Sequence, residues 1–294
     1  MDNNSKIKAS IGLVVLGIIA FFTWKGISGN IGDKETSAPP PNQFVDRVEV
    51  SINNLKASQS LDKSKYVDCI AEIEDFHRQN LLGSNSNDND RWKDVLKKNA
   101  YSVYAPKFVN HAMSIFKGSI WNSSDLVFIR KEVSTLSKSS YLDSESTVAS
   151  SFTKIENILN KYHEIRIFIS SCKSSYDINS FGSLVSKSKS YLKGNGLDSY
   201  VLNCSSIVND LRSIPSSLYQ KHKSFLYAEV TRLAASFPSY LDYSDYKSSV
   251  YDPLKSYLDD FINIYGENSS DFDSVKNDLK SIIDQGLSDA YDYF

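Results

Sequence analysis

Hydrophobic and polar positions along this chain follow a helical period over most of its length. The clearest run begins at Val148 and continues through Phe152, Leu159 and Ile169 in steps of three and four, the spacing of one face of an α-helix. It predicts a single helix of roughly 30 residues, with Asp143 as its N-cap.

The same periodicity recurs elsewhere, and no segment alternates convincingly enough to predict a strand. The sequence therefore predicts an all-α protein, a multi-helix bundle of about eight to ten helices. Polar or Pro/Gly-rich stretches at 83–90, 193–196, Pro215 and Pro238 are interpreted as breaks between helices. The other clear helices are predicted at 92–115, kinked or split by Pro106; at 126–136, capped by Ser124; from Asp252-Pro253 to Gly266; and at 272–282.

The N-terminal segment differs from the rest, because Ala9 to Trp24 is an uncharged run of 16 residues. Its length falls between the ~20 residues of a membrane-spanning helix and the ~7–15 of a signal-peptide core. We expect an uncleaved transmembrane or signal-anchor helix; a cleaved signal and a buried core helix are the open alternatives. The anchor residues would be Ile11, Leu13, Val14, Val15, Leu16, Ile18, Ile19, Phe21, Phe22 and Trp24.

This pattern divides the chain into an anchor or signal segment (1–25), a Pro/Gly/Ser-rich tether (26–43) and a helical domain (44–294). This domain is predicted to be either one unit or two subdomains, 44–176 and 177–294. Lys6 and Lys8 precede the apolar run, whereas the charges beyond it nearly cancel. This bias favours a single-pass protein with a cytoplasmic N-terminus and an extracytoplasmic body. The lipid bilayer would then be a partner of the N-terminal helix.

Composition and charge narrow the function. Hydrophobic residues make up 41% of the 294-residue, serine-rich chain and charged residues 23%, as in an ordinary folded protein. A net charge of −2 argues against nucleic-acid binding. The charge is uneven, with −8 over Asp242–Phe294 and +6 over the rest. The acidic, tyrosine-rich end could dock on a basic partner or on the chain's own basic helices, although a solvated helix face is the simpler account.

Cysteines and tyrosines supply the other candidate residues. Cys69, Cys172 and Cys204 lie on apolar stripes and are interpreted as small buried hydrophobes. If the body is exported, the favoured disulfide is Cys172–Cys204. Tyrosines amid Ser and Asp have the amphipathic chemistry of recognition surfaces, although packing is the alternative. The possible partner surface comprises Tyr240, Tyr243, Tyr246 and Tyr251.

No motif predicts a catalytic, cofactor-binding or metal-binding residue. Glu74 and His77 have the Glu-x-x-His spacing of di-iron bundles, but the second pair that such a site needs does not occur. We therefore expect a membrane-anchored helical binding or scaffolding protein of the cell envelope, with a protein partner and no cofactor. An exported enzyme with a site assembled between helices, or a membrane-active, toxin-like helical protein, are the alternatives.

Overall fold

All regular structure in the described part of the chain is helical, which confirms the predicted all-α bundle for these residues. The computed structural model describes residues 43–174, 180–195, 199–266 and 271–294. The nine longer helices in these ranges are α1 (Gln43–Ala57), α2 (Lys63–Arg78), α3 (Ser86–Lys117), α4 (Ser123–Leu136), α5 (Thr147–Ser174), α6 (Phe181–Leu192), α7 (Ser205–Ala234), α8 (Asp252–Tyr265) and α9 (Phe272–Tyr293). Short 3-10 turns lie at Val201–Asn203 and Phe237–Ser239, and a helical turn, Tyr243–Tyr246, leads through a π-helical segment, Lys247–Tyr251, into α8.

The predicted anchor lies outside the described residues, as does the tether up to residue 42. Among the helices that are described, none combines the length and the apolar character needed to cross a bilayer. The N-terminal membrane segment therefore stays a prediction.

Helix α5 confirms the long helix that the apolar period predicts, but its start differs. The side-chain oxygen of Ser146 accepts a hydrogen bond from the Ala149 backbone N–H at 3.2 Å. Asp143 instead accepts from the Glu145 N–H at 3.0 Å, within the turn that precedes the helix. Asp143 as N-cap is therefore wrong, because Ser146 is the side chain in reach of the first free N–H groups.

Two internal prolines do not break their helices. Pro106 lies inside α3, and Pro215, which we expected to be a break, lies inside α7. Proline removes one backbone hydrogen bond, yet Ile214 and Leu218 on either side of Pro215 are buried. Burial of both flanks in the core keeps the helix continuous through the proline.

For α8, the predicted start is wrong and the predicted end is confirmed. The chain is already helical from Tyr243, so Asp252-Pro253 does not begin the helix as predicted. The end is confirmed, since α8 stops at Gly266, whose N–H donates to the Ile262 carbonyl at 2.8 Å.

Residues Phe44–Phe294 form one compact unit that contains two clusters of buried side chains. The smaller cluster joins α1, α2 and the first half of α3, with Val48, Ile73 and Leu96 fully buried. The larger one takes side chains from α1 and α3–α9, and so from both sides of the possible boundary at residues 176 and 177. A division into two subdomains stays a prediction.

Helix α9 packs closely on the end of α7 because Gly286 has no side chain. A Cβ at Gly286 would lie 2.7 Å from the Ala234 Cβ and 2.8 Å from the Ala234 carbonyl oxygen. We expect Gly286→Ala to lower the free energy of unfolding by about 2 kcal/mol, as overpacking does, in urea denaturation.

A matched control is Gly182→Ala, where the nearest atom to a new Cβ is the flexible Cδ1 of Ile264 at 3.3 Å. This variant should be neutral or slightly stabilising, since alanine favours a helix. Equal losses in both variants would contradict a special close approach at Gly286.

Candidate functional site

The four predicted partner tyrosines do not form one surface. Tyr240 and Tyr243 are half-buried at one end of the bundle, and Tyr251 lines a separate groove between α8 and α9. Tyr246 is buried, and its hydroxyl donates to the Ala234 carbonyl at 2.9 Å. Tyr246 is therefore corrected from a surface residue to a core residue.

The sequence contains a signal for this correction. Tyr246 precedes Val250, Leu254 and Leu258 in steps of four, and all four side chains are buried. It is thus the first member of the apolar stripe that α8 continues.

Exposed and half-buried aromatic and apolar side chains gather where the C-terminal end of α9 meets the chain that follows α7. The Tyr243 ring lies 5.6 Å from Tyr291, and the Phe237 ring 5.2 Å from Tyr293. Leu241 is 92% exposed and Tyr291 70%. We call this surface the aromatic end patch; its residues are Phe237, Tyr240, Leu241, Tyr243, Tyr291, Tyr293 and Phe294.

Packing of α9 on one side and a capped turn on the other fix the position of the aromatic end patch. Gly286 and Ala290, both buried, seat α9 against the bundle. On the other side, the Asp242 side chain accepts from the Asp245 N–H at 2.8 Å and caps the turn that carries Tyr243. Short hydrogen-bonded segments therefore hold the aromatic rings at this end.

Four carboxylates border the aromatic end patch. They belong to Asp242, Asp245, Asp289 and Asp292, and within the described ranges none of them forms an ion pair with Lys or Arg. The basic side chains in this part of the chain have other partners, since Arg232 pairs with Glu229 at 2.6 Å and Lys247 with Asp252 at 3.0 Å. The patch is thus apolar in the centre and negatively charged around it.

The groove between α8 and α9, with a volume of about 680 Å³, has a different character. Its rim carries lysines and aspartates of both helices, and Leu258 and Ile283 form its apolar floor. Lys276 is held at 3.1 Å by Asp273 on its own helix. Mixed charges give this groove no preference for a ligand of either sign.

A buried polar cluster that sequence reasoning missed joins α2, α3 and α4. Glu132 is 4% exposed, forms an ion pair with Lys63, and accepts a hydrogen bond from the Tyr104 hydroxyl at 3.1 Å. The Tyr66 ring stacks on Tyr104 at 4.1 Å. Burial raises the pKa of Tyr66 to about 12, and burial together with Glu132 also raises the pKa of Tyr104. The signal is that Glu132 lies three residues after buried Ile129, on the packed face of α4.

Glu74 and His77 each contact a different partner. Glu74 pairs with Lys97, whose hydrogen bond lowers the pKa of the carboxyl, whereas the His77 Nε2 lies 2.7 Å from the Asp90 Oδ1. The described residues contain no group of three or more His, Cys, Asp or Glu arranged to hold a metal ion.

All three cysteines are buried and carry free thiols. Burial raises the pKa of the Cys69 thiol to about 11 and also raises that of Cys172. The Cys204 sulfur lies 3.3 Å from the Ser206 hydroxyl. The structure thus has no bond between Cys172 and Cys204, and that disulfide stays a prediction.

Comparisons with family models, curated proteins and solved structures find no match to this chain. Its function must therefore be inferred from its own residues. Of the described surfaces, the aromatic end patch combines the large apolar side chain with the highest exposed fraction, Leu241, with the exposed rings of Tyr291, Tyr293 and Phe294.

Proposed function

We propose that this chain is a membrane-anchored binding or scaffolding protein of the cell envelope, and that its helical body captures a protein partner through the aromatic end patch. The observation that carries the proposal is the clustering of exposed Leu241 and Tyr291 with half-buried Tyr243, whose ring contacts that of Tyr291. Contiguous exposed apolar surface with a polar border is typical of protein interaction sites. Tyrosine suits such a surface because its ring buries apolar area while its hydroxyl still forms hydrogen bonds.

The chain N-terminal to the helical body supports the membrane part of the proposal. The uncharged run Ala9–Trp24 is nearly long enough to span a bilayer, with Trp24 suited to the interface. Pro39–Pro41 would form a semi-rigid spacer between the membrane and the body. A tethered body searches for partners close to the membrane, where its effective concentration is high.

Protease accessibility of the full chain with a C-terminal tag, in intact and fractionated cells, tests the membrane part. We expect the tag to stay with the membranes and to be digested from outside. Deletion of residues 9–24 should release the tagged chain from the membrane fraction. A full chain that is soluble, or whose tag is protected inside, would refute the anchored arrangement.

Site-specific photocrosslinking in the same cells tests the binding part. A crosslinker at Tyr291 should give a discrete adduct with another protein, and Leu241→Ser on the same chain should weaken it by removing apolar contact area. The control position is Val67, exposed on α2 away from the patch, which should give no such adduct. Equal adducts from both positions, or none from Tyr291, would refute partner capture by the patch.

A further inference from the structure

We propose that the aromatic end patch binds a basic segment of its partner, in which Arg or Lys side chains flank an apolar anchor residue. This inference rests on the proposed function and names the chemistry of the partner at the same site. It is carried by the juxtaposition of exposed rings with carboxylates that lack a cation among the described residues.

The carboxylates around the patch differ from others in the same acidic region. Asp252 is paired with Lys247 at 3.0 Å, and Asp271 with Lys223 at 2.7 Å. Asp289 instead bonds the neutral Gln285 side chain at 2.7 Å, and Asp245 bonds the Ser249 hydroxyl at 3.3 Å. Neither carboxylate therefore forms an ion pair within the described ranges, and its charge is available to attract a cation.

The exposed rings add a second attraction for the same kind of partner. Tyr291 and Tyr293 are 70% and 57% exposed, so the rings are accessible to a partner side chain. A guanidinium or ammonium group over an aromatic face is attracted by the ring quadrupole, and Arg can also bond a carboxylate with two parallel N–H groups. A basic side chain would thus satisfy both features of the patch together.

A second copy of the chain and a lipid bilayer both fit the negative charge of the patch poorly. In a symmetric dimer through this patch, Asp242, Asp289 and Asp292 would face their own copies, and like charges at an interface are unfavourable. The negatively charged surface of a lipid bilayer would be repelled in the same way.

The test uses the full chain in neutral detergent micelles and two synthetic peptides with the same Leu and Tyr positions, one carrying Arg and the other Glu between them. Fluorescence anisotropy at low salt should show the Arg peptide binding at least about tenfold more tightly than the Glu peptide, and added salt should weaken it. The double variant Asp289→Asn/Asp292→Asn should lower its affinity several-fold, as should Tyr291→Ser. The control Asp68→Asn, an exposed aspartate on α2, should leave it unchanged.

Circular dichroism and thermal unfolding of each variant check that the bundle is intact. Equal binding of the two peptides, no binding of either, or full affinity of the Asp289→Asn/Asp292→Asn variant would overturn the basic-partner inference. Concentration-dependent self-association that Tyr291→Ser abolishes would overturn it in favour of a second copy of the chain. A discrete crosslink at Tyr291 in cells would still support the proposed function in each case. Failure of the basic-partner inference is therefore distinguishable from failure of the proposed function.

Discussion

Replacing Lys63 by methionine should lower the free energy of unfolding by about 3 kcal/mol, the lower end of the cost of leaving a buried charge without its partner. The Glu132 side chain is 5% exposed and has Lys63 as its ion-pair partner. The lower end applies because Tyr104 would still donate one hydrogen bond to the carboxylate. Urea denaturation at neutral pH measures the change, and an unchanged m-value would show that the unfolded state is unaffected.

The double variant Lys63→Met/Glu132→Leu should regain most of the lost stability, because it removes the buried charge together with its partner. An exposed pair provides the control. Lys161 contacts Glu164 at 2.8 Å on the surface of α5, and Lys161→Met should leave stability nearly unchanged. If Lys63→Met were as mild as Lys161→Met, or if the double variant were the least stable of the set, the cluster would not depend on charge compensation.

The helical period alone predicts much of the fold, because burial of an apolar face decides where most of these helices lie. Helix α5 follows the stripe from Phe152 to Cys172, and all eight of its buried side chains are hydrophobic. Helix α9 follows Phe272, Val275 and Leu279 in the same way. Its end at Tyr293 lies beyond the predicted end at residue 282, because buried Gly286 and Ala290 extend the packed face without large side chains.

Predictions that depend on a single residue are less reliable, because tertiary contacts can outweigh a local preference. Pro215 would end an isolated helix, yet α7 continues because the residues around it are packed in the core. Asp252-Pro253 resembles a helix start, yet the preceding π-helical segment keeps Tyr246 and Val250 in the buried stripe. A sequence window of a few residues reveals neither the core packing around Pro215 nor the π-helical segment before Asp252.

The sequence likewise predicts one part of the candidate site and not the rest. Composition indicates an acidic, aromatic C-terminal region, and the structure places Tyr240 and Tyr243, both half-buried, in the aromatic end patch. The ring contact between Tyr243 and Tyr291 joins residues far apart in the chain, and no local pattern predicts it. The Lys63–Glu132 ion pair joins α2 to α4 and depends on how the helices pack, which explains why sequence reasoning missed it.

A single buried histidine should make the bundle sensitive to acid. His222 is 1% exposed, its ring stacks 4.5 Å from Phe181 and lies 5.2 Å from Phe261, and neither ring nitrogen has a hydrogen-bond partner among the described residues. Burial lowers the pKa of His222 from 6.5 to about 4. Because the unfolded chain binds this proton more readily, its neutral ring contributes stability above pH 6.5 that is lost as the pH falls towards 4. The loss should reach about 3 kcal/mol between neutral pH and pH 4.

The variant His222→Phe keeps an aromatic ring in the same packing but cannot take up a proton. Its free energy of unfolding is measured in urea across the pH range. Between pH 6.5 and 4, this free energy should fall by about 3 kcal/mol less than that of the unaltered chain. His163, which is exposed on α5, provides the control, since His163→Gln leaves the buried aromatic packing around His222 intact and should follow the unaltered chain. Carboxylates titrate in the same range in every variant, so the comparison between variants isolates the imidazole. A His222→Phe profile parallel to that of the unaltered chain would show that acid acts on the bundle elsewhere.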